Sequence, residues 1–150
     1  MKFSKNGNSI FLLNELRLSV TVFDYDQEKG TMTAVQTVEG LPEELQEIPN
    51  KASEIRVHPN GKFVYSANRG HDSISVFSVD EQSGHLTFVE REAIRGSWPR
   101  NFNIGPKGKW LVVAGRYSNT LSVFEIDPTT GGLLFSGNIV NVPAPICLEY

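Results

Sequence analysis

The chain has 150 residues, with 14 basic against 17 acidic side chains and a net charge of −3 at neutral pH, a composition ordinary for a folded protein. That length suits one domain. Its Lys and Arg residues form no stripe that would track a phosphate backbone, so nucleic acid is excluded as a partner.

Taken in chain order, the first apolar run is Ile10 to Leu13, which ends at Asn14-Glu15 and is far too short for a signal core or a membrane span. No membrane partner is expected, and the setting is expected to be cytoplasmic. The run belongs to a segment starting at Phe3 that superimposes without a gap on two later ones, starting at Val57 and Ile104. In each, a glycine (Gly7, Gly61, Gly108) precedes a Val-Phe pair (from Val22, Val76, Val123) by fifteen residues. A second glycine (Gly30, Gly84, Gly131) follows the first by twenty-three. The units are offset by 54 and then 47 residues, the extra seven falling in the insertion Val38 to Ser53.

Each unit reads as strands, because its short runs of Val, Ile, Phe and Thr are separated by Pro-Asn-Gly, Pro-Lys-Gly, Gln-Ser-Gly and Thr-Thr-Gly turns. The glycines are expected to supply the positive φ of tight turns. In the second unit the strands are placed at Glu54–Val57, Phe63–Asn68, Ser73–Val79 and Leu86–Ala93. Four antiparallel strands in about 45 residues make one blade of a β-propeller, whereas the competing sandwich seldom repeats so regularly. The expected fold is all-β, one partial propeller over residues 1–150, with blades at about 3–38, 52–93 and 99–140. Residues 144–150 read as the opening strand of a further blade. Rings usually carry about four to eight blades, so these three belong to a larger ring. Head-to-tail homo-oligomers, in which strand 144–150 completes the first blade of another copy, are a second way to close it. Cys147 lies in this last apolar stretch and reads as a small buried side chain; being alone, it excludes an internal disulfide.

In an up-and-down blade, the start of the first strand and the turn after the second lie at one end. Glu54, Arg100, Asn101, Arg69 and His71 therefore gather there, joined by Glu15, Arg17 and Arg116 from the sister turns and overhung by the insertion with Lys51. The sister repeats build the Arg69-Gly70-His71-Asp72 turn from Glu15-Leu16-Arg17-Leu18 and Arg116-Tyr117-Ser118-Asn119. The turn itself therefore needs neither His nor Gly, although Asp72 also has the plain reading of a turn cap. His58 and His85 lie elsewhere and read as structural, Trp110 as packed between blades, and Trp98 as packed there or walling the mouth. No metal or cofactor is expected: no two histidines have ligand spacing, and no phosphate loop or nucleophile elbow is present.

The strings "ASEIRVHPNGKFVYSANRGHDSISVF", "WPRNFNIGPKGKWLVVAGRYSNTLSVFEID" and "VPAPICLEY" resemble the seven-bladed β-propeller lactonase family, which includes bacterial 6-phosphogluconolactonases and fungal carboxymuconate cyclases. The resemblance covers nearly the whole chain and corresponds to the C-terminal part of a member. It implies a hydrolase opening a sugar lactone, or a cyclase forming one, with a small lactone or organic acid as ligand. By matching position it carries over Glu15, Glu54, Asn68, Arg69, His71, Arg100 and Asn101, with Glu15, Asn68 and Asn101 expected to bind substrate. Residue types fit that chemistry: Glu54 or His71 as the base that activates water, Arg69 and Arg100 as donors to the developing oxyanion. An arginine also grips a phosphate or carboxylate with two parallel bonds. The reading from a different class is a non-catalytic propeller scaffold that uses the same mouth for binding.

Overall fold

The computed structural model describes residues 1–45 and 50–149. It consists of three four-stranded antiparallel meanders: β1 (Lys2–Phe3), β2 (Ser9–Asn14), β3 (Ser19–Asp26) and β4 (Thr31–Glu39); β5 (Lys51–Val57), β6 (Phe63–Arg69), β7 (Ser73–Val79) and β8 (Leu86–Ala93); β9 (Pro99–Ile104), β10 (Trp110–Gly115), β11 (Thr120–Ile126) and β12 (Leu133–Asn141). The sheets stack face to face as blades, so the fold class and the three-blade reading hold. No helix is long and apolar enough to cross a membrane.

The turn glycines do what the repeat demanded. Gly7, Gly61 and Gly108 close the first turn of each blade with φ of 77°, 84° and 71°, and Gly30, Gly84 and Gly131 the third with 63°, 70° and 75°. The Val-Phe pairs mark a second shared feature, a slip in register between the third and fourth strands: after Val22, after Val76, and between Ser122 and Phe124. A bulge of this kind bends and twists the outer strand.

The middle blade explains the packing. Every residue of β6 is buried, because its two faces meet different neighbours. Phe63, Tyr65 and Ala67 point into a core shared with the third blade, while Val64 points into a core shared with the first. The outer strands β4, β8 and β12 are largely exposed. Polar clasps recur at each junction. Gln36 exchanges two bonds of 2.8 Å with the backbone of Leu86, and at the matching place Leu133 N donates to Glu90 Oε1 at 2.7 Å. Ser75 donates to the Gly40 carbonyl just as Ser122 donates to that of Ile94. Tyr65 donates to the Gly131 carbonyl at 2.8 Å, and burial pushes its phenol above the usual range. At the end away from the candidate site, buried His58 bridges to the Gly108 carbonyl at 2.7 Å.

Four expectations need correction, and a fifth, the opening strand of a further blade, stays a proposal. The first strand of the middle blade starts at Lys51 rather than Glu54, because Lys51 and Ala52 pair with Arg69 and Asn68 across an irregular register. The insertion is thereby shorter than expected: Leu41 is buried, Glu43–Leu45 form a 3-10 turn, and residues 46–49 lie outside the described ones. Residues 144–149 carry no strand in this chain, where no further blade is described for them to open; they lie against β9 through Leu148, and Tyr150 lies outside the described residues. Cys147, on that segment, is exposed for the same reason. Trp110 is 39% exposed beside Lys109 rather than packed between blades.

Candidate functional site

The register places the predicted residues at one end. Lys51 pairs with Arg69 and Pro99 with Gly115, so the starts of β5 and β9 lie level with the turns after β6 and β10. Within that end the structure forms two groups of contacts.

The first centres on Arg69, which is 8% exposed. Its Nη2 donates to Glu15 Oε1 at 2.5 Å and to the Ala52 carbonyl at 2.8 Å, and its Nε donates to the Lys51 carbonyl at 3.3 Å. The guanidinium also lies over the Trp98 ring, 5.6 Å from its centre. Glu15, by contrast, keeps 58% of its side chain exposed. Glu15 follows the last residue of β2 and Arg69 ends β6, but the two match in the repeat, so the ion pair joins equivalent points of two adjacent blades.

The second group runs along the inner strands. Glu54 Oε2 accepts from Asn101 Nδ2 at 2.7 Å and from Arg56 Nη2 at 3.4 Å, while its Oε1 accepts from the Ile55 amide. Glu54 and Asn101 hold the same place on β5 and β9. The relay continues, since Asn101 Oδ1 accepts from the Leu148 amide at 3.0 Å. Arg56 also reaches Glu149 at 3.5 Å, and its Nε is buried with no hydrogen-bond partner among the described residues. The two groups meet where Ser53 donates to the Pro99 carbonyl at 2.6 Å.

His71 stands apart from both. It shares a 2.9 Å hydrogen bond with Ser73, and burial together with nearby Arg91 holds its imidazole below the ordinary range, against the opposing pull of Asp72. Among the described residues no hydrogen bond or ion pair joins it to Glu54, Arg69 or Arg100. Arg100 is exposed and has no hydrogen bond or ion pair among the described residues, which leaves its guanidinium open to a ligand. Asn68 is fully buried, and its amide donates to Ser73 and Ser75 at 3.1 and 2.8 Å. In this chain its amide nitrogen fastens β6 to β7, while its Oδ1 is buried with no hydrogen-bond partner among the described residues. Asn14 makes the matching bonds to Ser19 and Thr21 in the first blade.

Three residues here were not singled out as ligands to the site. Arg56 shares a strand face with Glu54 two residues away, a spacing that would have revealed it once the strand was read past its start. Tyr117 stacks on Trp98 at 4.9 Å with 21° between the rings, and Arg116 lies 5.7 Å from the Tyr117 ring centre. Asp72 caps its turn as the plain reading held, accepting from Gly70 N at 3.3 Å, and also accepts from Trp98 N at 2.7 Å. Among the described residues no group of three His, Cys, Asp or Glu side chains is arranged to hold a metal ion.

The register thus puts a carboxylate, guanidinium groups and an imidazole at the same end of the blades, residue types that suit attack of water on an ester carbonyl with stabilisation of the oxyanion. The chain is 38% identical over 140 residues to a 6-phosphogluconolactonase of Bacillus subtilis, covering 93% of this chain and 40% of that protein. It superimposes on a periplasmic gluconolactonase of Pseudomonas aeruginosa with a TM-score of 0.91 at 34% identity, over 99% of this chain and 40% of the other. On a crystal structure described as a putative 6-phosphogluconolactonase of Bacteroides fragilis the TM-score is 0.90 at 35% identity, over 99% and 40%. The chain thus spans about two-fifths of the length of these relatives. A model of the family described as Lactonase, 7-bladed beta-propeller, matches residues 1–150, and the chain belongs to that family.

Proposed function

We propose that the chain supplies part of the active site of a lactone hydrolase acting on a sugar lactone such as 6-phosphogluconolactone. The observation that carries this reading is the Glu54 carboxylate, held by Asn101 and Arg56 on the inner strands at the same end as Arg69 and the uncommitted Arg100. In the reaction Glu54, or neutral His71, takes a proton from water as its oxygen bonds to the lactone carbonyl carbon. Arg69 and Arg100 stabilise the negative charge that builds on the carbonyl oxygen. The ring C–O bond then breaks, and the proton passes to the departing alkoxide to give the open hydroxy acid. The names of the Bacillus and Bacteroides relatives support a phosphorylated substrate, for which an arginine is a suitable anchor.

The test is hydrolysis of 6-phosphogluconolactone by purified protein against the spontaneous rate. Glu54→Gln and Arg100→Ala are expected to lower the rate by about a hundredfold or more, the size of effect that removing one charged catalytic group gives, with unchanged circular dichroism. A protein that binds the lactone without accelerating its opening supports the scaffold reading instead. That reading draws on the commitment of Glu54 and Arg69 to contacts between blades.

Head-to-tail association is part of the same proposal. Strand β1 pairs with Ile10 and Phe11, and among the described residues Leu12–Asn14 of β2 have no strand partner on that side, where residues 144–148 of a second copy would fit. Light scattering that shows a monomer at all concentrations would remove it.

A further inference from the structure

Trp98 combines two features that the blade fold does not require. Its φ is 62°, a left-handed conformation that favours glycine or asparagine and is unusual for a bulky side chain. Two bonds hold the backbone there: its amide donates to Asp72 Oδ1 at 2.7 Å, and its carbonyl accepts from the Arg116 amide at 3.0 Å. Ala144 precedes Pro145 as Trp98 precedes Pro99, and it too is left-handed, with φ of 42°. The connection between blades therefore needs the backbone shape but not an indole. The ring itself contacts the Arg69 guanidinium and stacks on Tyr117, an aromatic that the matching turn positions Leu16 and Gly70 do not supply.

The consequence falls on Arg69. Its Nε and Nη2 are committed to the Lys51 and Ala52 carbonyls and to Glu15, while Nη1 makes no hydrogen bond among the described residues. A guanidinium is planar, so an aromatic ring beside one face and hydrogen bonds along one edge together limit where the remaining nitrogen points. We propose that Trp98, backed by Tyr117, is a positioning residue for Arg69, fixing the guanidinium so that Nη1 is the nitrogen that meets an anionic group of the ligand. This rests on the reading of Arg69 as a ligand-contacting residue.

The experiment has two arms. Nuclear magnetic resonance of the Arg69 Nε–H reports the guanidinium directly: in the parent chain it is expected to be shifted by the Trp98 ring current and protected from exchange. Trp98→Gly suits the left-handed backbone, preserves the fold, and is expected to move the signal to the position of an exposed arginine and speed its exchange at least tenfold. Trp98→Phe is expected to retain most of the protection, and Tyr117→Ala, at a position 60% exposed, to lose part of it. Unchanged protection in Trp98→Gly overturns the inference whatever the ligand does. The second arm titrates 6-phosphogluconate by calorimetry: Trp98→Gly is expected to bind it at least tenfold more weakly than the parent, and Trp98→Phe within about threefold of it. Equal affinity of parent and Trp98→Gly also overturns the inference, even if Arg69→Lys shows that Arg69 is needed. Absence of binding by the parent, with the resonance behaving as expected, instead removes the ligand role of Arg69 and leaves the stack as a structural clamp.

Discussion

Arg69 and Glu15 stand at the same turn position in adjacent blades, and Arg69 Nη2 donates to Glu15 Oε1 across the junction at 2.5 Å. The two sides of the bond are not equivalent. Arg69 is nearly buried and also satisfies two backbone carbonyls, whereas Glu15 is mostly in water.

That asymmetry sets the effect of removing either partner. Glu15→Gln leaves Arg69 its carbonyl partners and should cost no more than about 1 kcal/mol, as for an ion pair with one exposed member. Arg69→Ala strips charged hydrogen bonds from the Lys51 and Ala52 carbonyls and should cost about 2–3 kcal/mol. Urea unfolding of the two variants checks the order; equal losses would show that the pair, not the carbonyl bonds, carries the stability.

Asn68 is expected to matter for stability. Asn68→Ala leaves the buried Ser73 and Ser75 hydroxyls without their donor and should cost about 1–3 kcal/mol. Asn14→Ala, at the matching but half-exposed place, should cost less, about 1 kcal/mol or under. Any activity lost by Asn68→Ala should return when the protein is assayed below its lowered melting temperature.

The turn glycines are not equally replaceable. Gly30 has φ of 63° with nothing within 4 Å of an added Cβ, so Gly30→Ala should cost about 1 kcal/mol for the backbone alone. At Gly131, with φ of 75°, the added carbon would lie 2.4 Å from the Phe63 ring, in the core between the second and third blades. Gly131→Ala should therefore cost about 2–5 kcal/mol, strain and overpacking combined. Melting temperatures of the two variants give the comparison.

His71 makes stability depend on pH. Its folded-state pKa lies below the ordinary value, chiefly from burial, so the unfolded chain binds more protons there as pH falls through about 6.5. Stability contributed by the neutral ring is present above that value and is lost below it. Between pH 7.5 and 5 the parent should lose more melting temperature than His71→Gln, and parallel curves for the two would contradict the assignment.

The blade is legible in local residue patterns. A turn glycine with positive φ, a strand of alternating faces and the Val-Phe bulge are all local, so they repeat at fixed spacing and are readable without a partner; the strands Ser73–Val79 and Leu86–Ala93 came out as read. The sequence also located the end of the blade where Glu54, Arg69 and Arg100 gather, because antiparallel pairing dictates which turn lies beside which strand start. Only the tertiary structure decided what each side chain does there. Asn68, expected to bind substrate, is buried and fastens two strands, because Ser73 and Ser75 approach its amide from the next strand. Cys147 looked buried and is exposed, since a single inner strand covers one side of its segment. The contacts that define the site, Arg69 to Glu15 and Asn101 to Glu54, join residues 54 and 47 apart, one blade to the next. Such pairs are created by the rotation between sheets, which no local pattern of residues encodes.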